Sequence, residues 1–330
     1  MKLNKESKPK WIMGVVILST IILAFFVTHL RLKPDKSFEG NSSSSITFSP
    51  DSKYILIWVK DDLHLINVET EEIEQVFEGD KCDAMPNIAT FSYDGKYILS
   101  TCSNDAIYLW EITNGEKKIF PISNKYSTFK NLSFSYDGKY IIASGSDDIM
   151  WDIQTGKKVE NYWLENIKDF SSDGLYALSE SSEGLELWKL DTMKKIRTYI
   201  TEGSFDYATF SEGDQYVIVH NTGNYTSIFL INNSNRIFNT KYYESLLALV
   251  TFSVDGKFYV EFSSNDYFTL QKMSNWRPRV LQTFWLSSIH NDFIDPGIYN
   301  FAISPDNRYV VVGSSGGKLL VWNIEKYLEY

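Results

Sequence analysis

Histidine and cysteine are nearly absent: the 330 residues hold four His, at 29, 64, 220 and 290, and two Cys, at 82 and 102. No Cys/His cluster has the spacing of a zinc site and no run of oxygen ligands has that of a calcium loop. No His stands at a predictable distance from a nucleophile such as Ser146. Neither a metal, a cofactor nor a catalytic residue is expected. Basic stripes are missing too. The 32 Lys and Arg against 42 Asp and Glu give a net charge of −10, which argues against nucleic acid as a partner. After residue 35 nothing has the period of a long amphipathic helix. The stretch GSSGGK, Gly313 to Lys318, lacks the spacing of a phosphate-binding loop and opens a strand, so it is a hairpin turn.

What is present is a repeat. FSYDGKY stands at residues 91–97 and again at 134–140. Relaxed copies start at Phe48, Phe170, Phe210, Phe252 and Ile303, making seven at intervals of 36 to 51 residues. Each copy sets an Asp-Gly type pair between apolar alternations, the pattern of a hairpin. Two further short strands follow, as in IYLWEI and KKIFPI. Four strands per unit of about 40 residues is the pattern of a propeller blade. The expected fold is all-β, a seven-bladed propeller of four-stranded blades. An aromatic content of 15% suits half-buried strands.

Closure is a separate question, because an open ring leaves two bare sheet edges. The last unit stops after its third strand, LLVWNI. DKSFEGN, residues 35–41, echoes EQVFEGD, residues 74–80, the outer strand of the first unit. The segment around Phe38 is therefore expected to complete blade seven.

The third strands end in Trp110-Glu111, Trp151-Asp152, Trp188-Lys189 and Trp322-Asn323, followed in the first two by Asn114-Gly115 and Thr155-Gly156 turns. Over roughly residues 35–325 the chain resembles the WD-repeat (Trp-Asp repeat) β-propeller family, with degenerate repeats. The unit from Phe134, FSYDGKYIIASGSDDIMWDIQTGK, is the clearest. The resemblance implies structural blade tryptophans at Trp110, Trp151, Trp188 and Trp322, and turn aspartates at Asp105 and Asp147. It also implies binding of partners without catalysis. Two features depart from the family. No His follows a Gly, so the buried His-Ser-Asp-Trp set is incomplete. Ile66-Asn67, Ile231-Asn232 and Gln271-Lys272 stand at the Trp place of blades one, five and six. In a WD-like blade the loops carrying Cys82 and Cys102 meet on one face, so a disulfide between them is expected, the other reading being two unpaired thiols.

The N-terminus differs in kind. Residues 11–30 form the one long apolar run, without an Asp, Glu, Lys or Arg, long enough to span a bilayer as a helix. Lys2, Lys5, Lys8 and Lys10 precede it, which keeps the N-terminus cytoplasmic and places the propeller outside the cytoplasm. A cleaved signal peptide is the rival reading, but Phe25-Phe26-Val27-Thr28-His29-Leu30 lacks the small residues of a cleavage site. The expected order is a basic tail (1–10), a transmembrane signal-anchor helix (11–30), a tether with the closing strand (31–45) and the propeller (46–330).

Between the last two repeats lies a long interval, WLSSIHNDFIDPGI, residues 285–298. Trp285, His290, Asp292, Phe293 and Asp295 combine aromatic anchors with polar groups, as at contact hot spots. The other reading is a plug folded back on the blades. Trp276, Arg277 and Arg279 at the opposite turn end form a second candidate face. The expected function is a membrane-anchored scaffold that binds another protein or a cell-envelope component. The alternative is an exported propeller hydrolase or lyase, or a ligand sensor, with a site at the channel mouth.

Overall fold

A computed structural model describes residues 34–39, 46–79, 88–102, 106–122, 129–145, 148–159, 166–199, 205–221, 225–232, 236–241, 250–263, 267–274, 277–285, 298–314 and 318–328. Strand β1 (Lys36–Glu39) comes first and belongs to the last blade. Blade one is β2 (Thr47–Phe48), β3 (Tyr54–Val59), β4 (Asp62–Asn67) and β5 (Ile73–Phe77). Blade two is β6 (Ala89–Phe91), β7 (Tyr97–Cys102), β8 (Ala106–Glu111) and β9 (Lys117–Pro121). Blade three is β10 (Phe129–Phe134), β11 (Tyr140–Gly145) and β12 (Ile149–Asp152). Blade four is β13 (Ile167–Phe170), β14 (Tyr176–Ser181), β15 (Gly184–Lys189) and β16 (Lys194–Tyr199). Blade five is β17 (Phe205–Phe210), β18 (Tyr216–Asn221), β19 (Tyr225–Leu230) and β20 (Arg236–Lys241). Blade six is β21 (Val250–Phe252), β22 (Phe258–Ser263), β23 (Tyr267–Ser274) and β24 (Arg277–Trp285). Blade seven is β25 (Ile298–Ile303), β26 (Tyr309–Ser314) and β27 (Lys318–Asn323), completed by β1.

The seven repeats thus make seven antiparallel sheets. Blade three has three strands among the described residues, and a bridge pairs Trp151 of β12 with Lys158 beyond it.

Each heptapeptide closes its hairpin by a hydrogen-bonded clasp. In blade two the Ser92 hydroxyl donates to Asp94 Oδ1 (2.8 Å) and accepts the Tyr97 N–H (2.9 Å). Asp94 Oδ1 also accepts the Lys96 N–H at 3.2 Å. The fifth position has positive φ in every copy: Gly95, Gly138, Gly174 and Gly256, but also Ser52, Asp214 and Asn307. Glycine is favoured there because an L side chain is strained in that region. Blade five breaks the pattern. FSEGDQY moves its carboxylate one place on, to Asp214, and the turn becomes a short 3-10 segment, Glu212–Asp214.

The core lies between blades. Leu56, Trp58, Leu63 and Phe77 of blade one pack on Ala89, Phe91, Ile98 and Trp110 of blade two, and the other seams are built alike. Trp110, Trp151 and Trp322 are buried and Trp188 is half-buried. The Trp110 indole donates to Ser100 Oγ (2.9 Å), while Trp188 donates to Glu186 (3.0 Å). In blade six Gln271 fills the Trp place and bonds Tyr259 (2.7 Å), Glu261 (2.6 Å) and Thr269 (2.9 Å). Blade five corrects the expected alignment. Val217 faces Phe229, as Ile98 faces Trp110, so the equivalent pair is Phe229-Leu230 and not Ile231-Asn232.

Ring closure follows the echo in the sequence. Phe38 lies opposite Leu319 in β27 as Phe77 lies opposite Leu63 in β4, so the two Phe-Glu-Gly segments are structural equivalents. Asp35 clips the segment to the end of β27, donating its N–H to Val321 O (2.8 Å) and accepting the Asn323 N–H (2.7 Å). Lys36 reaches into blade one and donates to the carbonyls of Val68 (2.6 Å) and Glu69 (2.7 Å). Phe38 packs into the cluster shared by blades seven and one.

Among the described residues no helix is long and apolar enough to cross a membrane. Residues 11–30 lie outside the described set, as do Cys82, Asp105 and Asp147; Cys102 ends β7 opposite Ala106.

Candidate binding surfaces

The innermost strands surround a central cavity of 1180 Å³. On each of these strands one residue precedes the heptapeptide's first position: Thr47, Thr90, Ser133, Asp169, Thr209 and Thr251, with Ala302 in blade seven. The period of two that turns the Phe into a blade seam leaves this neighbour on the other face of the strand. The row is half-buried in every blade except at Ala302, and Asp169 is its one carboxylate. Hydroxyls in this row also stitch the blades together. Thr47 Oγ1 donates to Ala89 O at 2.9 Å.

Asp169 belongs to a reciprocal clasp between blades four and five. Its Oδ2 accepts the Thr209 hydroxyl and the Phe210 N–H (2.8 Å), and its Oδ1 accepts the Phe170 N–H (2.9 Å). In return Asp214 of blade five accepts the Ser172 N–H (2.9 Å) and hydroxyl (2.6 Å) of blade four. Enclosure by the surrounding blades pushes the Asp169 carboxyl up to about 6, against the pull of its three donors. Burial raises Asp214 as well. Tyr207 stands beside Asp169, stacks on the buried His220 with ring centroids 5.8 Å apart, and, although 41% of its surface still meets solvent in the cavity, is pushed up to about 12 by the crowding of surrounding blades and by the Asp169 charge.

The cavity opens on the face that carries the heptapeptide turns. Third-position residues line this mouth: Pro50, Tyr93, Tyr136, Ser172, Val254 and Pro305. Tyr93 and Tyr136 are 69% and 60% exposed, the two most exposed large hydrophobic side chains of the described residues. Both come from the identical heptapeptides, so adjacent blades present equivalent rings. Beside each is an ion pair, Asp94 with Lys96 and Asp137 with Lys139, both at 2.9 Å. No Lys, Arg or His is among the described residues lining the cavity.

The candidate residues named from sequence fall on blade six and the interval after it. Trp285 is the last residue of β24 and pairs with Tyr267; His290, Asp292, Phe293 and Asp295 lie outside the described residues. Arg277 and Arg279 open the same strand, opposite Ser274 and Lys272, and Trp276 lies outside the described residues. Of the two candidate faces, the described residues Trp285 and Arg277 with Arg279 lie at the two ends of one strand. β24 spans nine residues on the outer edge of its sheet, and Arg279 and Val280 are exposed there. Among the described residues no group of His, Cys, Asp and Glu could hold a metal ion.

Sequence reasoning missed Tyr93, Tyr136, Asp169 and the Asp214 clasp. The first two were spelled in the repeated heptapeptide. Asp169 stands out once the repeats are aligned, as an acid in a row of hydroxyls.

Residues 288–323 match the family model of the WD domain, G-beta repeat (WD40), a span that takes in β25, β26 and β27 up to Trp322-Asn323. A search of curated proteins finds no match. In three dimensions the chain is similar to the β-propeller domain of Cps50 (Swd1) from Myceliophteria thermophila. The TM-score is 0.69 at 14% identity, over 88% of this chain and 99% of that one. WD40 propellers typically serve as protein-interaction scaffolds and are generally not enzymes. The chain is thus an all-β seven-bladed propeller whose last blade matches the WD40 repeat model.

Proposed function

We propose that this protein is a membrane-anchored binding platform that holds a protein or cell-envelope partner on blade six and performs no catalysis of its own. The observation that supports this reading is β24, which carries Arg277 and Arg279 at one end and Trp285 at the other and whose edge exposes Arg279 and Val280. An outer strand on a closed ring is a rigid mount, so the interval it feeds, residues 286–297, is offered to a partner from a fixed place. The apolar run 11–30 supplies the anchor, with the basic residues before it on the cytoplasmic side and the ring outside. Only residues 31–35 separate that run from β1, a reach of roughly 17 Å when extended, which holds the ring close to the bilayer.

Proximity labelling from the ring in intact cells, with a topology reporter fused after Tyr330, tests both halves. An external reporter and labelled surface proteins are expected, with the labelling lost on deletion of residues 286–296 while the ring still unfolds cooperatively. A cytoplasmic reporter overturns the orientation, and unchanged capture by the deletion variant overturns the blade-six site.

A further inference from the structure

Nothing in the blade-six reading uses the central cavity, yet the cavity mouth has a composition of its own. Its two exposed tyrosines are equivalent by sequence and by position, one on each of two adjacent blades. Below them the walls carry neutral hydrogen-bonding groups, including Thr90, Ser133, Thr209 and Asn300. The carboxylates at the rim are already neutralised by Lys96 and Lys139. No Lys, Arg or His is among the described lining residues, so these residues favour a neutral ligand over a phosphate, a sulfate or an acidic chain. At 1180 Å³ the space exceeds the roughly 300–1,000 Å³ usual for a single small ligand and suits part of a polymer.

We propose that the turn-face mouth of the channel binds a neutral polysaccharide, two of its sugar rings lying on Tyr93 and Tyr136 while the hydroxyls and amides within bond the next units. An exposed tyrosine presents a flat apolar face at small entropic cost and keeps a polar tip in water, which matches the C–H face and hydroxyl edge of a pyranose. Two equivalent rings match a ligand whose chemistry repeats, and joining two weak stacking contacts through one chain raises the affinity of the pair. Tyr207, 41% exposed on the same cavity wall, offers a third ring further in, and Asp169 beside it is a hydrogen-bond acceptor for a sugar hydroxyl.

The test is binding of the full chain, kept in a sugar-free detergent, to immobilised neutral glycans (α- and β-glucans, mannan and chitin oligosaccharides), followed by titration with the hexasaccharide and disaccharide of any series that binds. At least one series is expected to bind, the hexasaccharide at least tenfold tighter than the disaccharide. The Y93A/Y136A variant is expected to lose that binding at least tenfold with an unchanged melting temperature. Tyr207→Phe should weaken binding less than the double variant does. Three results overturn the proposal: no neutral series binds, binding survives in the double variant, or a Lys/Arg-rich peptide occupies the tyrosines in place of the glycans.

Discussion

The hydroxyl of Ser100 accepts the indole N–H of Trp110 inside blade two, and both residues are buried. Ser100→Ala removes one oxygen and leaves a buried donor without its partner. Such a change is expected to cost about 1–3 kcal/mol in urea unfolding. Asp169 gives the opposite kind of prediction. Its folded carboxyl is raised to about 6 from an ordinary 3.8, so the folded protein takes up a proton before the unfolded chain does as pH falls. This group therefore adds stability as pH drops from about 6 to 4 and subtracts it as pH rises through 6. The hairpin aspartates Asp51, Asp94, Asp137 and Asp255 are lowered by their donors and act in reverse, losing stability as pH falls below their ordinary range. Urea unfolding between pH 4 and 7 should show Asp169→Asn missing a contribution of about 1–3 kcal/mol that the parent gains on acidification; parallel curves would remove Asp169 as its source. Local turn chemistry was legible in the sequence because Ser, Asp and Gly recur at fixed offsets. The raised carboxyl was not, since it depends on which blade wall encloses it.

At the scale of an element, β1 does the most with the fewest residues. Four residues pair with β27, and Lys36 crosses to blade one. Phe38→Ala is expected to cost about 2 kcal/mol, because it empties a half-buried site between the first and last blades. This strand could be located from sequence, since Phe-Glu-Gly is written twice and the last unit is a strand short. The position of blade five's missing tryptophan could not. Phe229 and Ile231 both fit an apolar pattern, and only the pairing of Val217 with Phe229 decides the register. The Asp214 clasp depends on a one-residue shift in a turn, and a sequence cannot show that the shifted carboxylate finds Ser172 across the seam.

For the whole molecule, the count of blades was readable because a repeat of about 40 residues admits few architectures, and its closure because one edge strand was unaccounted for. Partner surfaces were less legible, since exposure is a property of the assembled ring. Tyr93 and Tyr97 share one heptapeptide and are both apolar in pattern, yet they are 69% and 36% exposed. Ring closure needs the β1 strand but not its place in the chain. A variant with residues 34–39 removed from the front and attached after Tyr330 through a flexible linker should melt within a few degrees of the parent, whereas removal without relocation should melt well below it. If the relocated strand fails to restore the ring, the N-terminal connection itself is needed. Lys36 and Val321 are partners separated by every other strand of the ring, so β1 leaves the ribosome well before β27 and waits for it. During that wait the bare edges of blades seven and one are open to neighbouring nascent chains, and the ring's most exposed moment is its synthesis.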